Sequence, residues 1–427
     1  MNTKLKLIIL QFLEFAVWGA YLTSQGRYLG SVGFGEHIGW FYAVQGVVSI
    51  FMPAIMGIIA DKWIPAQKLL GISHLLAGLF MVGAGYYGHI AGAEVSFPII
   101  FTLYTLSVAF FMPTIALANS VSYNALDKDG LSTVDVYPKI RVFGTIGFIC
   151  SMWFVDLAGF QATSAQYVVS GILGIILGGY AFTLPNCPIS KSDKKTSIVE
   201  AMGLKAFALF KDSRMAIFFI FSMLLGVALQ ITNGFANPFL GEFGGIPQYQ
   251  ETFGVKHSNI LISLSQISET LCILLIPFCL RKFGIKKVML MAMFAWFLRF
   301  GLFGVGNPGG GVWMFVLSMI VYGIAFDFFN ISGSLFVDEN TDKSIRSSAQ
   351  GLFMLMTNGI GAALGTMGAQ WVVNILVNEK KVPGVDGVID WSAVMGGWCD
   401  AWYIFAGYAL IVAVLFAILF RYKHVKA

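Results

Sequence analysis

The chain has 427 residues, of which 57% are hydrophobic and 11% charged, and its net charge is +5. A soluble domain carries about 25% charged residues, so this composition excludes a soluble enzyme. The small positive charge also excludes a nucleic-acid-binding or disordered chain. A transmembrane helix takes roughly 20–25 residues, so twelve of them use about 240–300 residues and leave short loops with no room for a second, soluble domain.

The apolar segments run, in chain order, over 5–29, 37–60, 69–91, 96–125, 138–160 and 166–184, then 214–240, 257–280, 287–305, 312–337, 346–378 and 397–421. The first is long enough to span a bilayer and holds Trp18, Tyr21 and Tyr28, so it reads as a retained helix rather than a signal peptide. Between the sixth and seventh segments lies a polar, Lys-rich connection, 185–213, in which 198–210 has the pattern of an amphipathic helix at the membrane surface. The domain organisation expected is therefore an N-terminal six-helix bundle over 1–184, a central cytoplasmic loop over 185–213 and a C-terminal six-helix bundle over 214–427. With the N-terminus inside, 21 of the 27 Lys and Arg residues fall on the cytoplasmic side, four outside and two, Arg141 and Arg299, within segments. This bias places both termini in the cytoplasm. The five cysteines show no metal or paired extracellular spacing and read as small buried hydrophobes.

Two short strings recur at equivalent places in the halves. Gly57, Asp61 and Lys62 lie between segments two and three, and Arg281, Lys282 and Gly284 lie between segments eight and nine. IRVFGTIGF (140–148) opens segment five and IRSSAQGLF (345–353) opens segment eleven. Such repetition is a trace of duplication in transporters. The Gly57, Asp61, Lys62 turn and the six-plus-six layout resemble the major facilitator superfamily, although Ile64 to Gln67 replace the usual glycine and basic residues, and Arg281 stands where the second copy usually has Asp.

Ionisable and amide groups are costly in hydrocarbon, at least ~2.5 kcal/mol for a charge at the helix centre. Such groups therefore face a cavity or a partner. Gln230 and Asn233 in segment seven, and Gln266 and Glu269 in segment eight, each share a helix face at three-residue spacing. Amides of this kind read a nucleobase edge or a sugar hydroxyl, or they join helices. Glu269 is deep enough to bind a proton or, ionised, two hydroxyls of a ribose, and its structural alternative is an ion pair with Arg141 or Arg299. Segment ten places Tyr322, Phe326, Asp327 and Asn330 on two adjacent stripes. Phe326 has the chemistry to stack on a base. Asp327 is either a proton carrier or the salt-bridge partner of Arg299. Arg141, Thr145 and Phe148 lie on one face of segment five, with snorkelling to the interface as the alternative for Arg141. His74 reads as structural. Pro53, Pro113 and Pro277 read as kinks.

The strings AFALF (206–210), RMAIFFIFSMLLG (214–226), LQITN (229–233), SQISET (265–270) and AFDFFNISG (325–333) resemble the bacterial nucleoside:proton symporters of that superfamily, over nearly the whole chain. The resemblance implies an all-α membrane protein of twelve transmembrane helices in two pseudo-symmetric six-helix bundles. It also implies proton-coupled nucleoside import by alternating access, with the substrate in a central cavity. The substrate-binding residues it implies are Arg141, Thr145, Phe148, Gln230, Asn233, Gln266, Glu269, Tyr322 and Phe326. Glu269 and Asp327 are the proton-coupling candidates, and Gly57, Asp61, Lys62 and Arg281 the gating motif. Glu14 departs from the amide more usual at its position, so no role is carried over to it. A sugar, oligosaccharide or sugar-acid symporter of the same fold is the alternative. No phosphate loop, metal triad or nucleophile elbow occurs, so neither enzymatic activity nor a cofactor is expected. The expected partners are a nucleoside, protons and the lipid bilayer, with no nucleic acid. A monomer in the bacterial inner membrane is the expected working form.

Overall fold

A computed structural model describes residues 2–189, 204–342, 345–384 and 387–422, with the side chains of Asp61, Val134, Leu204, Lys205 and Ser347 outside the described set. Each of the twelve apolar segments coincides with one helical span. Span one consists of Thr3–Gly19 and Gln25–Ser31. Span two is Ile38–Lys62, span three Ala66–Ala91, span four Phe97–Lys128, span five Thr133–Leu157 and span six Ala165–Ala181. Span seven is Ser213–Leu229 with Ile231–Glu242, and span eight Ser258–Ile273 with Ile276–Phe283. Span nine is Ile285–Val305 and span ten Val312–Asn340. Span eleven is Arg346–Met354 and Ala362–Leu376 joined by a π-helical stretch, Leu355–Gly361, and span twelve is Trp391–Leu419. Among the described residues, nine helices are individually long and apolar enough to cross a membrane, and the bent pair of span eight makes ten. Spans one and six, at 17 residues per main helix, are shorter.

The contacts divide the chain into two compact units, Met1–Phe34 with Val44–Met202 and Gly35–Ala43 with Gly203–Ala427. Some helix starts carry a side-chain acceptor. Asn2 accepts from the Lys4 amide, Asp212 from Arg214 and Met215, and Asp390 from Ser392 and Ala393. Each supplies a partner for a backbone N–H that the helix itself leaves open.

Two expectations need correction. Span one is not continuous: it breaks after Gly19 and restarts at Gln25. Gly19 lies so close to the Phe148 backbone that a Cβ there would overlap it, and Ser24 turns aside to donate to Gln166 at 2.9 Å. Of the amphipathic helix expected over 198–210, residues 198–203 lie outside the described residues, and the rest belongs to a 3-10 helix, Leu204–Lys211. There Phe207 stacks on Phe210, which leans on Phe219 of span seven. Span twelve begins at Trp391, ahead of the expected 397. Pro53 and Pro113 sit inside continuous helices, whereas Pro277 starts the second piece of span eight, which bends by 56°. Gly284 ends that piece with a φ of 78°, a conformation that glycine adopts without steric cost.

In the second unit, spans seven and eleven touch backbone to backbone. A Cβ on Gly226 would overlap Thr357, one on Gly361 the Met223 carbonyl, and one on Gly365 the Val227 backbone. Close approach of this kind holds membrane helices together where apolar burial gives no drive. Gly226→Val is expected to cost about 1–3 kcal/mol through overpacking, seen as a lower melting temperature of the detergent-solubilised protein. An unchanged melting temperature would show that the two helices separate without penalty.

Candidate functional site

In the second unit, Gln230 is the single residue between the two helices of span seven. Asn233 Nδ2 donates to Gln230 Oε1 at 2.9 Å. The two amides that share a face in the sequence are thus a bonded pair, each partly buried. Beside them a small cavity is lined by Leu229, Trp296, Phe326, Asn330 and Thr357, among others. It draws on spans seven, nine, ten and eleven.

Span eight approaches span ten closely, because Gly323 admits the Ser268 backbone and the Ser268 hydroxyl donates to the Ile320 carbonyl. This contact brings Gln266 and Glu269 to the Tyr322 region. Both side chains are partly buried. Gln266 Oε1 is buried and accepts no hydrogen bond among the described residues. Tyr322 stacks on Phe326 at 5.6 Å and meets Trp296 edge-on at 5.9 Å. It lies within electrostatic reach of Glu269, Arg299 and Asp327 together. Asp327 is 6% exposed.

Arg299 is 2% exposed at the centre of this group. Its Nη1 donates to the Ser318 carbonyl at 2.8 Å and to Ser265 Oγ at 3.3 Å. Its guanidinium lies over the Tyr322 ring at 4.5 Å and near Phe303 at 5.5 Å. A cation over an aromatic face is stabilised by the ring quadrupole, more so when desolvated. The ion pair that the sequence allowed between Arg299 and Asp327 is therefore not what holds this guanidinium; a hydroxyl, a carbonyl and two rings hold it.

In the first unit, Arg141 sits two turns inside span five, because the helix begins at Thr133 rather than near 138. Its guanidinium covers the Phe15 ring at 3.7 Å. Phe148 is buried and meets Trp18 edge-on at 6.4 Å, and Trp18 Nε1 donates to Gln45 at 3.4 Å. Thr145 is partly buried on the same stripe. Of the loop motif, Gly57 faces open space, Lys62 ends span two and Arg281 is exposed in the last turn of span eight. The Asp61 side chain lies outside the described residues.

Two members of the second unit's cluster escaped the sequence reading. Trp296 is three residues before Arg299 on span nine, a spacing that could have flagged it. Thr357 lies in the π-helical stretch, which hydropathy does not mark.

Twelve spans in two units, with polar and aromatic side chains gathered inside them, define a membrane transporter of the major facilitator fold. A crystal structure of a D-xylose-proton symporter shares that fold at a TM-score of 0.65 and 14% identity, covering 96% of each chain. The family described as nucleoside H+ symporter matches residues 1–425, and the chain belongs to it. It is 46% identical to the xanthosine permease of Escherichia coli (strain K12), over 99% of this chain and 97% of that protein. It is 45% identical to the nucleoside permease NupG of the same organism, over 100% of this chain and 98% of that one. A crystal structure of NupG superposes with a TM-score of 0.87 at 44% identity, covering 99% of this chain and 100% of that chain. The protein is thus a multi-pass membrane transporter, not an enzyme, and it carries out proton-coupled nucleoside import. The sugar alternative falls away.

Proposed function

We propose that the second unit binds the nucleoside directly. Gln230 and Asn233 read the base, Phe326 stacks against it, and Gln266, Glu269 and the Tyr322 hydroxyl take the ribose hydroxyls. The observation that carries this reading is the buried Gln266 Oε1 without a donor. A buried acceptor left unsatisfied costs about 1–3 kcal/mol, and a substrate hydroxyl removes that cost. In the first unit, Arg141, Thr145 and Phe148 form the substrate-facing stripe.

Asp327 carries the coupling proton and Glu269 serves the substrate. Burial favours the neutral, protonated form of a carboxyl, and Asp327 is the more buried of the two. The transporter works as a monomer in the inner membrane with both termini in the cytoplasm, a placement supported by the distribution of Lys and Arg. Gly57, Asp61, Lys62 and Arg281 form the cytoplasmic gating loops.

The test is uptake of labelled uridine and adenosine by cells lacking their own nucleoside transporters, with and without a protonophore. Accumulation that collapses with the protonophore is expected. Uptake that ignores the protonophore would remove the proton from the mechanism.

A further inference from the structure

The first unit holds a buried acid–base cluster that the nucleoside site does not use. Glu14 of span one and His74 of span three are both fully buried at their side chains, with Oε2 and Nε2 2.7 Å apart. Thr114 of span four lies 2.6 Å from the other carboxyl oxygen, Oε1. The same Thr114 hydroxyl is 2.5 Å from the Phe111 carbonyl.

A threonine hydroxyl has one proton and two lone pairs, so it cannot donate to both oxygens at once. With Glu14 ionised, Thr114 donates to Oε1. With Glu14 protonated at Oε1, the carboxyl donates to Thr114, and Thr114 donates to Phe111. His74 Nε2–H donates to Oε2 while Glu14 is ionised, and with Glu14 protonated at Oε2 instead, the carboxyl donates to Nε2 of the other tautomer. Every hydrogen bond around the carboxyl therefore survives the arrival of a proton. On the far side of the imidazole, Nδ1 is buried and has no hydrogen-bond partner among the described residues. It borders a cavity lined by Val17, Tyr21, Ser107 and Ser170, among others. That cavity is large enough for about one water molecule, which can hydrogen-bond the imidazole at Nδ1.

We propose that Glu14, His74 and Thr114 form a proton-binding site inside the first unit, distinct from the carboxylates of the second. A proton from water binds His74 Nδ1 as the Nε2 proton passes to Glu14 Oε2: an Nδ1–H and an Oε2–H bond form, the Nε2–H bond breaks, and the carboxyl then donates to Nε2 while Thr114 donates to Oε1. Filling the site removes a negative charge beside span five. The charged and titratable groups facing it are Arg141, stacked on neighbouring Phe15, and Tyr137, which feels both Glu14 and Arg141. Tyr21 faces the cavity from span one, with Tyr104 of span four and Tyr167 of span six packed on its ring. Occupancy of the site thus sets the field around Arg141.

The experiment is pH-difference infrared spectroscopy on the purified protein between about pH 5 and pH 8, the range in which a histidine partner changes charge. It is run in a Glu269→Gln, Asp327→Asn background, so that failure of the coupling assignment does not affect it. A protonated-carboxyl band that grows on acidification is expected, and it is lost when Glu14→Gln is added. Glutamine keeps the size of the side chain and an acceptor for Thr114. Thr114→Val, which is isosteric and leaves Glu14 in place, is expected to displace the band and its pH midpoint. In transport, Glu14→Gln alone is expected to move the pH profile of uridine uptake while accumulation persists. A band unchanged by Glu14→Gln overturns the proposal. If that variant does not fold, a band unmoved in Thr114→Val overturns it equally.

Discussion

Asp327→Asn is expected to abolish accumulation of uridine against a gradient while leaving exchange of internal for external uridine close to the wild-type rate. Asp327 lies inside the second unit, within the electrostatic neighbourhood of Tyr322, Glu269 and Arg299. A buried Asp can hold or release a proton, whereas Asn has the same shape and cannot. Exchange needs the substrate site but no net proton movement, so it survives; accumulation needs the proton, so it does not. Measuring both on one batch of proteoliposomes separates a coupling defect from a folding defect. Retained accumulation in Asp327→Asn would transfer the coupling role to Glu269, whose own variant, Glu269→Gln, is otherwise expected to act on affinity. Losing a charged hydrogen bond costs about 1.5–3 kcal/mol, which is roughly a 10- to 150-fold rise in KM.

Gln230→Leu and Asn233→Leu are expected to weaken uridine binding about 5- to 150-fold each, since a removed partner leaves a buried substrate polar group without its bond at about 1–3 kcal/mol. The two effects should not add. Asn233 Nδ2 donates to Gln230 Oε1 at 2.9 Å, so either substitution already disturbs the other residue. Binding of uridine to the two single variants and the double variant in a mutant cycle measures this. Additive losses would show that the amides act separately on the ligand.

The positions of all twelve spans were legible in the sequence because hydropathy alone sets them. The interruptions were less so. Pro277 announced the bend in span eight, since proline removes a backbone donor. No local pattern records the breaks at Gly19 and Gln230 or the π-helical stretch at Leu355–Gly361, and Gly19 and Thr357 lie against helices far apart in sequence. The amide pairs were visible as three-residue spacings. The surroundings of Arg299 were not: charge matching suggested a carboxylate, and the fold supplies Ser265, the Ser318 carbonyl and the Tyr322 ring instead. Glu14 and His74 lie 60 residues apart. Each read alone as a lone polar group, and only the packing of spans one, three and four makes them one cluster.

The most direct test of the account is whether nucleoside and proton are read by the same cluster in the second unit. Binding linkage requires that each ligand change the affinity for the other. Uridine added to purified protein in weakly buffered solution, with a pH-sensitive dye, should produce net proton uptake in the wild type and none in Asp327→Asn. Uridine that binds the wild type with no proton change at any pH between about 5 and 8 would contradict it.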